Sequence, residues 1–298
     1  MSVVVRTPAK VNVQLSVGPV REDGYHELVT VFHSLSLQDV ITASVGEGIT
    51  LTMSGEGSEV LPVDDSNLAV KAAQLLADHL GVDPNVTLHI EKSIPIAGGM
   101  AGGSADAAGT LVACDALWQS GLSRDELAGL AAQLGSDVPF ALYGGNAIGR
   151  GRGEQITPVL GRGRFHWVLA LSDEGLSTPG VYRRLDELRA GQHVPEADVP
   201  EKLLQALRSG DASELAGAMS NDLQEAALSL RPSLRRLLDA GLEYGALAGI
   251  VSGSGPTCAF LVRDDEHALD VAVALTASGV CRTVKRAHGP ASGAKVMD

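Results

Sequence analysis

The sequence predicts an α+β protein built in two parts. Strand-patterned runs crowd the first 63 residues instead of alternating evenly with helices, which argues against a doubly wound parallel sheet. A glycine-rich, basic stretch from Gly144 to Gly153 holds neither helical nor strand period for long. It marks the break between the parts, set at residues 1–160 and 161–298. The final segments read β-α-β and fit a ferredoxin-like half.

A chain of 298 residues buries a substantial core, and length alone allows one large domain or two modest ones. With 23 Lys+Arg against 36 Asp+Glu the formal charge is −13, which disfavours generic binding to nucleic acid or an anionic membrane. A polyanionic small molecule would have to be held by local backbone amides and a few placed cations. Three widely spaced cysteines, with no C-x-x-C or H-E-x-x-H pattern, argue against a disulfide framework or structural zinc. The first residues, Met1 to Arg6, lack a signal pattern and no run approaches a membrane span, so a cytoplasmic location is expected.

Taken in order, Val3 to Val5 read as a short strand that Pro8 interrupts. From Lys10 to Val17 the alternation is strict: Val11, Val13, Leu15 and Val17 share one face, and Lys10, Asn12, Gln14 and Ser16 the other. That polar face is either solvated or the floor of a site, and alternation alone does not decide. Asp23-Gly24 then turns the chain past Tyr25 and His26 into an apolar run, Val29 to Leu37. Residues 40–63 look like β-structure. Asp65 or Ser66 is the expected cap of a helix that ends at Gly81.

A β-run from Val86 to Ile90 leads into Ile94 to Gly109, and an alanine-rich helical run from Ala107 to Trp118 follows. Glycines packed between a strand and a helix put bare N–H groups at a positive helix end, which suits phosphate. The loop has neither a Gly-Lys-Ser/Thr ending nor a G-x-G-x-x-G window, so it is not a Walker loop or a dinucleotide fingerprint. The plainer alternative is a turn that lets a helix pack closely on a sheet.

Ser123 to Glu126 is a capping box, and Gly135 is the natural stop of its helix. Asp137 sits beyond that stop, ahead of the apolar run Val138 to Tyr143, where a carboxylate either forms a turn or points into a cleft. Residues 144–153 read as a β-ribbon or loop and 165–171 as a strand. Ser177 and Thr178 are expected to cap a helix through Leu188, with Pro179 in its first turn. Helices fill 201–242, with Pro232 at one start and Gly241 at its stop. A second small-residue loop spans Ile250 to Cys258, and the tail from His288 to Asp298 is expected to fray.

Three of these segments together resemble the GHMP kinases: Pro8-Ala9-Lys10-Val11-Asn12, the loop from Pro95 through Ala108, and Ser252-Gly253-Ser254-Gly255-Pro256-Thr257. The resemblance spans almost the whole chain. It implies a ribosomal protein S5 domain 2-like N-terminal domain, a ferredoxin-like C-terminal domain, and ATP- and Mg²⁺-dependent phosphorylation of an alcohol. It assigns Asp137 as the base and Lys10 as its cationic neighbour. ATP would lie against Pro95, Ile96, Ala97, Gly98, Gly99, Met100, Ala101, Gly102, Gly103, Ser104 and Ala105, with Asn67 near the adenine. Ser104 would be the Mg²⁺-approaching side chain, because Ala105 stands where many members carry a second serine. Met100 likewise replaces leucine.

Within the family, Arg21-x-Asp23-Gly24-Tyr25-His26-x-Leu28 and Gly135-Ser136-Asp137-Val138-Pro139-Phe140 look like the members that phosphorylate the 2-hydroxyl of a cytidine diphosphate-linked methylerythritol, on a non-mevalonate isoprenoid route. That likeness implies Tyr25 and Tyr182 around the cytosine, His26 on its edge and Asn12 on the erythritol hydroxyls. Tyr182 is equally readable as a helix-packing aromatic. The implied partner is a small molecule, with no nucleic acid or membrane, and the chain is expected as a monomer or weak homodimer. A homoserine- or mevalonate-type kinase would keep the loop without the Gly-Tyr-His element. A non-catalytic nucleotide sensor would have no reason to keep Lys10 and Asp137 together.

Overall fold

The computed structural model describes residues 2–96, 98–172 and 175–297. Strand β1 (Ser2–Val20) runs unbroken through Pro8, where the sequence predicts an interruption. Its pairing with β2 (His26–Val45) skips a residue between Pro8 and Lys10, so the missing proline N–H falls at a bulge. A second skip lies between Asn12 and Gln14. Past it the side-chain parity inverts: Leu15 lines the same cavity as Lys10 and Asn12, while Gln14 turns away to donate to the Asp198 carbonyl. The strict alternation read from sequence therefore fails at this bulge. Lys10, Asn12 and Gln14 are all buried, so none of them is on a solvated face.

β3 (Ile49–Gly55), a 3₁₀ turn at Ser58–Val60, α1 (Leu68–Leu80) and β4 (Val86–Lys92) follow. Asn67, not Asp65 or Ser66, caps α1, its Oδ1 accepting from the Ala69 N–H, and Gly81 ends the helix at φ 67°. α2 (Gly102–Trp118) starts five residues earlier than the alanine run suggests. Its small side chains let it lie deep between the sheet and its neighbouring helices. A Cβ on Gly109 would stand 2.5 Å from Ile41 Cδ1, so any side chain there would have to displace the buried Ile41 on β2. α3 (Arg124–Leu134) has the expected capping box, and α4 (Val138–Tyr143) turns the apolar run after Asp137 into a short helix. The glycine-rich stretch resolves as a ribbon of β5 (Asn146–Arg150) and β6 (Gln155–Val159), paired to β2 through β5.

The second sheet begins at β7 (Phe165–Leu171). After it come α5 (Thr178–Arg189), α6 (Glu201–Ser209), α7 (Ala212–Ala216), β8 (Ser220–Asn221), α8 (Gln224–Leu230) and α9 (Ser233–Glu243). β9 (Ala248–Val251), β10 (Cys258–Val262), α10 (Asp265–Ser278), β11 (Thr283–Gly289) and β12 (Lys295–Val296) complete the chain. The strands order as β11-β7-β10-β9, all antiparallel, which is the ferredoxin-like arrangement.

The period-2 rule explains why β7 and β10 read as continuous apolar runs. Phe165, Trp167 and Leu169 face one core and Val168 and Ala170 the other; Ala259 and Leu261 alternate with Cys258, Phe260 and Val262 in the same way. One core joins the two sheets, and the other packs the second sheet against α5, α8, α9 and α10.

Three sequence expectations are corrected here. Gly241 does not stop α9 but lies within it, because a Cβ there would meet the Phe260 ring at 2.1 Å. Ser177 is the N-cap of α5 with no side-chain bond, and Thr178 Oγ1 instead meets Ser254 Oγ at 2.8 Å. The tail does not fray: Ser292 bridges Gly144, Ala294 is buried, and β12 pairs with β1 at Val5–Val296 and Arg6–Lys295. Among the described residues no helix is long and apolar enough to cross a membrane.

Candidate active site

Two adjoining cavities of about 730 and 320 Å³ meet at Gly99 and Ala101. The bulged part of β1 supplies the floor of the larger. Lys10 Nζ lies 3.3 Å from Asp137 Oδ2 and donates to Asn12 Oδ1 at 2.7 Å. Asn12 Nδ2 in turn donates to Thr30 Oγ1, whose hydroxyl donates to the Gln14 carbonyl. This chain fixes the ammonium by hydrogen bonds rather than by side-chain freedom. The Lys10 side chain is only 6% exposed, whereas Asp137, at the N-terminus of α4, is 30% exposed and open to a ligand.

The glycine loop forms the wall between the cavities. Because α2 starts at Gly102, the amides of Gly102, Gly103 and Ser104 belong to its first turn, where N–H groups have no helical partner. Ala101 precedes them at φ 60°, a left-handed conformation that non-glycine residues adopt at a cost, and it aims the chain into the helix. Gly99 and Ala101 line both cavities and Ser104 the larger. Pro95, Ile96, Gly98, Gly102 and Gly103 line the smaller. Met100 and Ala105 line neither; their side chains are buried in the core, so only their backbone is at hand. The Met100 carbonyl does accept the Lys10 N–H, tying the loop to β1. Ala97 lies outside the described residues.

Asn67 also lines the smaller cavity, but its amide is committed, with Oδ1 capping α1 and Nδ2 donating to the Pro62 carbonyl. The late loop closes over the glycine loop. Ser252 Oγ donates to the Gly99 carbonyl, and a Cβ on Gly98 would lie 2.8 Å from Thr257 Oγ1.

Across the larger cavity stand Tyr25, His26 and Tyr182. Tyr182 stacks on His26 with ring centroids 5.3 Å apart, and Tyr25 is exposed under the Arg152 guanidinium at 5.2 Å. Burial first, and then the charge of Asp137, push the Tyr182 phenol pKa upward, so the ring stays neutral.

Sequence reasoning missed a buried triad at the wall of the smaller cavity, which Lys92 and Asp106 line. Lys92 Nζ meets Asp39 Oδ2 at 2.5 Å and Asp106 Oδ2 at 2.6 Å, and Asp39 Oδ1 accepts the N–H groups of Ser93 and Ile94. These bonds staple the entry of the glycine loop to β2 and α2. Burial pushes the Asp106 carboxyl upward, and the Lys92 ammonium opposes the shift. Asp106 shares its alanine-rich helix with a second acid, Asp115, so no local signal singled it out.

The sequence model of the GHMP kinase N-terminal domain matches residues 67–145, and that of the C-terminal domain matches residues 203–281. A 4-diphosphocytidyl-2-C-methyl-D-erythritol kinase of Mycolicibacterium smegmatis is 60% identical, over 99% of this chain and 92% of its own length. The kinase of the same name from Rhodococcus jostii is 57% identical, over 99% and 95%. A crystal structure of a 4-(cytidine 5'-diphospho)-2C-methyl-D-erythritol kinase superposes with a TM-score of 0.78 at 34% identity, covering 95% of this chain and 98% of that one. The L. major mevalonate kinase shares the fold, with a TM-score of 0.77 at 17% identity over 97% and 96% of the two chains. The two-sheet architecture, the glycine loop and the relatives matched along nearly the full length agree: the chain belongs to the GHMP kinase family.

Proposed function

We propose that the protein transfers the γ-phosphoryl group of ATP to the 2-hydroxyl of 4-diphosphocytidyl-2-C-methyl-D-erythritol, in isoprenoid precursor synthesis. The observation that carries this reading is the Lys10–Asp137 pair at 3.3 Å, on the floor of a cavity with the glycine loop on one side and the Gly24-Tyr25-His26 turn on the other. The names borne by relatives 55–60% identical support the same substrate.

In this reading the acceptor oxygen attacks the γ-phosphorus, its proton passes to the Asp137 carboxylate, and ADP leaves. Lys10 holds the aspartate and steadies the attacking oxygen. Asn12 anchors the Lys10 ammonium and keeps a second amide N–H for the acceptor's hydroxyls. Tyr25 and Tyr182 offer ring faces to the base, and His26 reads its edge. The triphosphate lies on the amides from Gly98 to Ser104, which stabilise charge developing on the phosphoryl oxygens.

Mg²⁺ is bound largely through phosphate oxygens and water, with one or two protein oxygens. Ser104 and Asp137 line the same cavity and fit that demand. When bound, the ion supplies charge neutralisation at the phosphates.

Incubation with ATP, Mg²⁺ and each of the cytidyl compound, homoserine and mevalonate tests the proposal by ADP release. Turnover of the cytidyl compound alone is expected. Turnover of either other alcohol in its place would refute it.

A further inference from the structure

His26 is held by a second residue that no motif marks. Its ring packs on Tyr182, and its Nε2 lies 2.9 Å from Asp186 Oδ1. Tyr182 and Asp186 are four residues apart on α5, so one helix face presents an aromatic ring to the imidazole plane and a carboxylate to its edge. The His26 side chain is 9% exposed and gripped on two sides, which leaves little rotational freedom. A carboxylate can only accept, so the proton of the neutral imidazole must sit on Nε2. Nδ1 is then a bare lone pair. Among the described residues no group hydrogen-bonds it, and His26 lines the larger cavity.

We infer that Asp186 is a positioning residue that fixes the His26 tautomer, and that the acceptor presented at Nδ1 makes the site prefer cytosine to uracil. The inference rests on the proposed cytidyl substrate. At ring position 4 cytosine carries an amino donor and uracil a carbonyl acceptor. A fixed lone pair accepts from the first and faces another lone pair on the second, leaving two buried acceptors unpaired. Discrimination of this kind comes from the partner that holds the reading group, much as outer hydrogen bonds set the tautomer of a metal-bound histidine. Asp186 lines the same cavity, but its carboxylate, 47% exposed, does not touch the Lys10–Asp137 pair.

The test compares the cytidyl substrate with its uridyl analogue at pH 8 in wild type, Asp186→Ala and Asp186→Glu. Wild type should favour the cytidyl compound by roughly 10²-fold or more in kcat/KM, as for a site built to bond the missing group. Asp186→Ala should lose at least about tenfold of that preference, through the cytidyl KM with kcat nearly unchanged. Asp186→Glu, whose carboxylate can likewise only accept, should keep it within about threefold. Nitrogen-15 NMR of labelled imidazoles should show the proton of His26 on Nε2 in wild type and a tautomer mixture in Asp186→Ala.

A preference unchanged in Asp186→Ala, a preference lost equally in Asp186→Glu, or a wild-type proton on Nδ1 would each overturn the inference. Wild-type protein that turned over neither compound would refute the substrate reading instead. Calorimetric titration with CDP and UDP then decides the base preference separately, and equal affinities would overturn it.

Discussion

Gly99 joins the two glycine-rich loops, and Gly99→Ala isolates what their contact does. The residue sits at φ +71°, and a Cβ would stand 2.2 Å from the Ser252 carbonyl oxygen and 3.2 Å from that of Gly255. Both obstacles are backbone, so no side chain can swing aside. A left-handed alanine costs roughly 1–2 kcal/mol by itself. Restoring ordinary contact requires the loops to part by about 1 Å, and a misplacement of that size near reacting groups costs on the order of 10²-fold in rate. Gly279→Ala is the control, at φ +66° with nothing within 4 Å of its Cβ, so it carries the conformational cost alone. Thermal unfolding should show about 1–2 kcal/mol of destabilisation in Gly279→Ala and more than that in Gly99→Ala, where the backbone clash adds to the conformational cost. A coupled assay of ADP release should show kcat/KM down roughly 10²-fold for Gly99→Ala only, with Gly279→Ala near wild type. Gly99→Ala protein with kcat/KM within threefold of wild type would refute the idea that the late loop holds the glycine loop in its working position.

Two other outcomes follow from the geometry. Asp137→Asn keeps the shape of the site but cannot take the hydroxyl proton, so kcat should fall by roughly 10²–10⁴ while ATP affinity, measured by calorimetry, stays within about twofold. His33 supplies a pH signature of stability. Burial holds its pKa down from 6.5 to about 4, against a hydrogen bond with Asn146 that raises it. The unfolded chain therefore takes up this proton near pH 6.5 and the folded one resists until about pH 4. The group leaves stability untouched above pH 6.5 and removes roughly 2–3 kcal/mol as the pH falls to 4.5. His33→Gln should abolish that share of the acid loss in urea titrations at pH 7.5 and 4.5, and an unchanged difference between the two pH values would contradict the assignment.

Much of the site was legible because its signals are local. Four glycines between a strand and a helix are a backbone requirement that any sequence must spell out, and so is the Ser123–Glu126 capping box. Lys10 on a patterned strand and Asp137 beyond a helix stop were likewise visible as residue types at boundaries. Nothing local said that they approach within 3.3 Å, since that depends on how β1 and α4 pack from opposite ends of the first half. The second bulge in β1 was hidden for the same reason: register is a property of the pair, and β2 decides it. The Lys92 triad joins residues 39, 92 and 106, each unremarkable in its own window.

The sequence by itself determined the order of the main elements, the glycine-rich loop and the class of chemistry, because turns, caps and hydrophobic periods act over a few neighbouring residues. Tertiary structure alone decided three things. It split β7 and β10 between two cores, recruited the tail as an edge strand, and set Tyr182 and Asp186 of α5 against His26. Each joins segments far apart in the chain, and such contacts exist only where the packed whole outweighs the entropy of closing the chain between them.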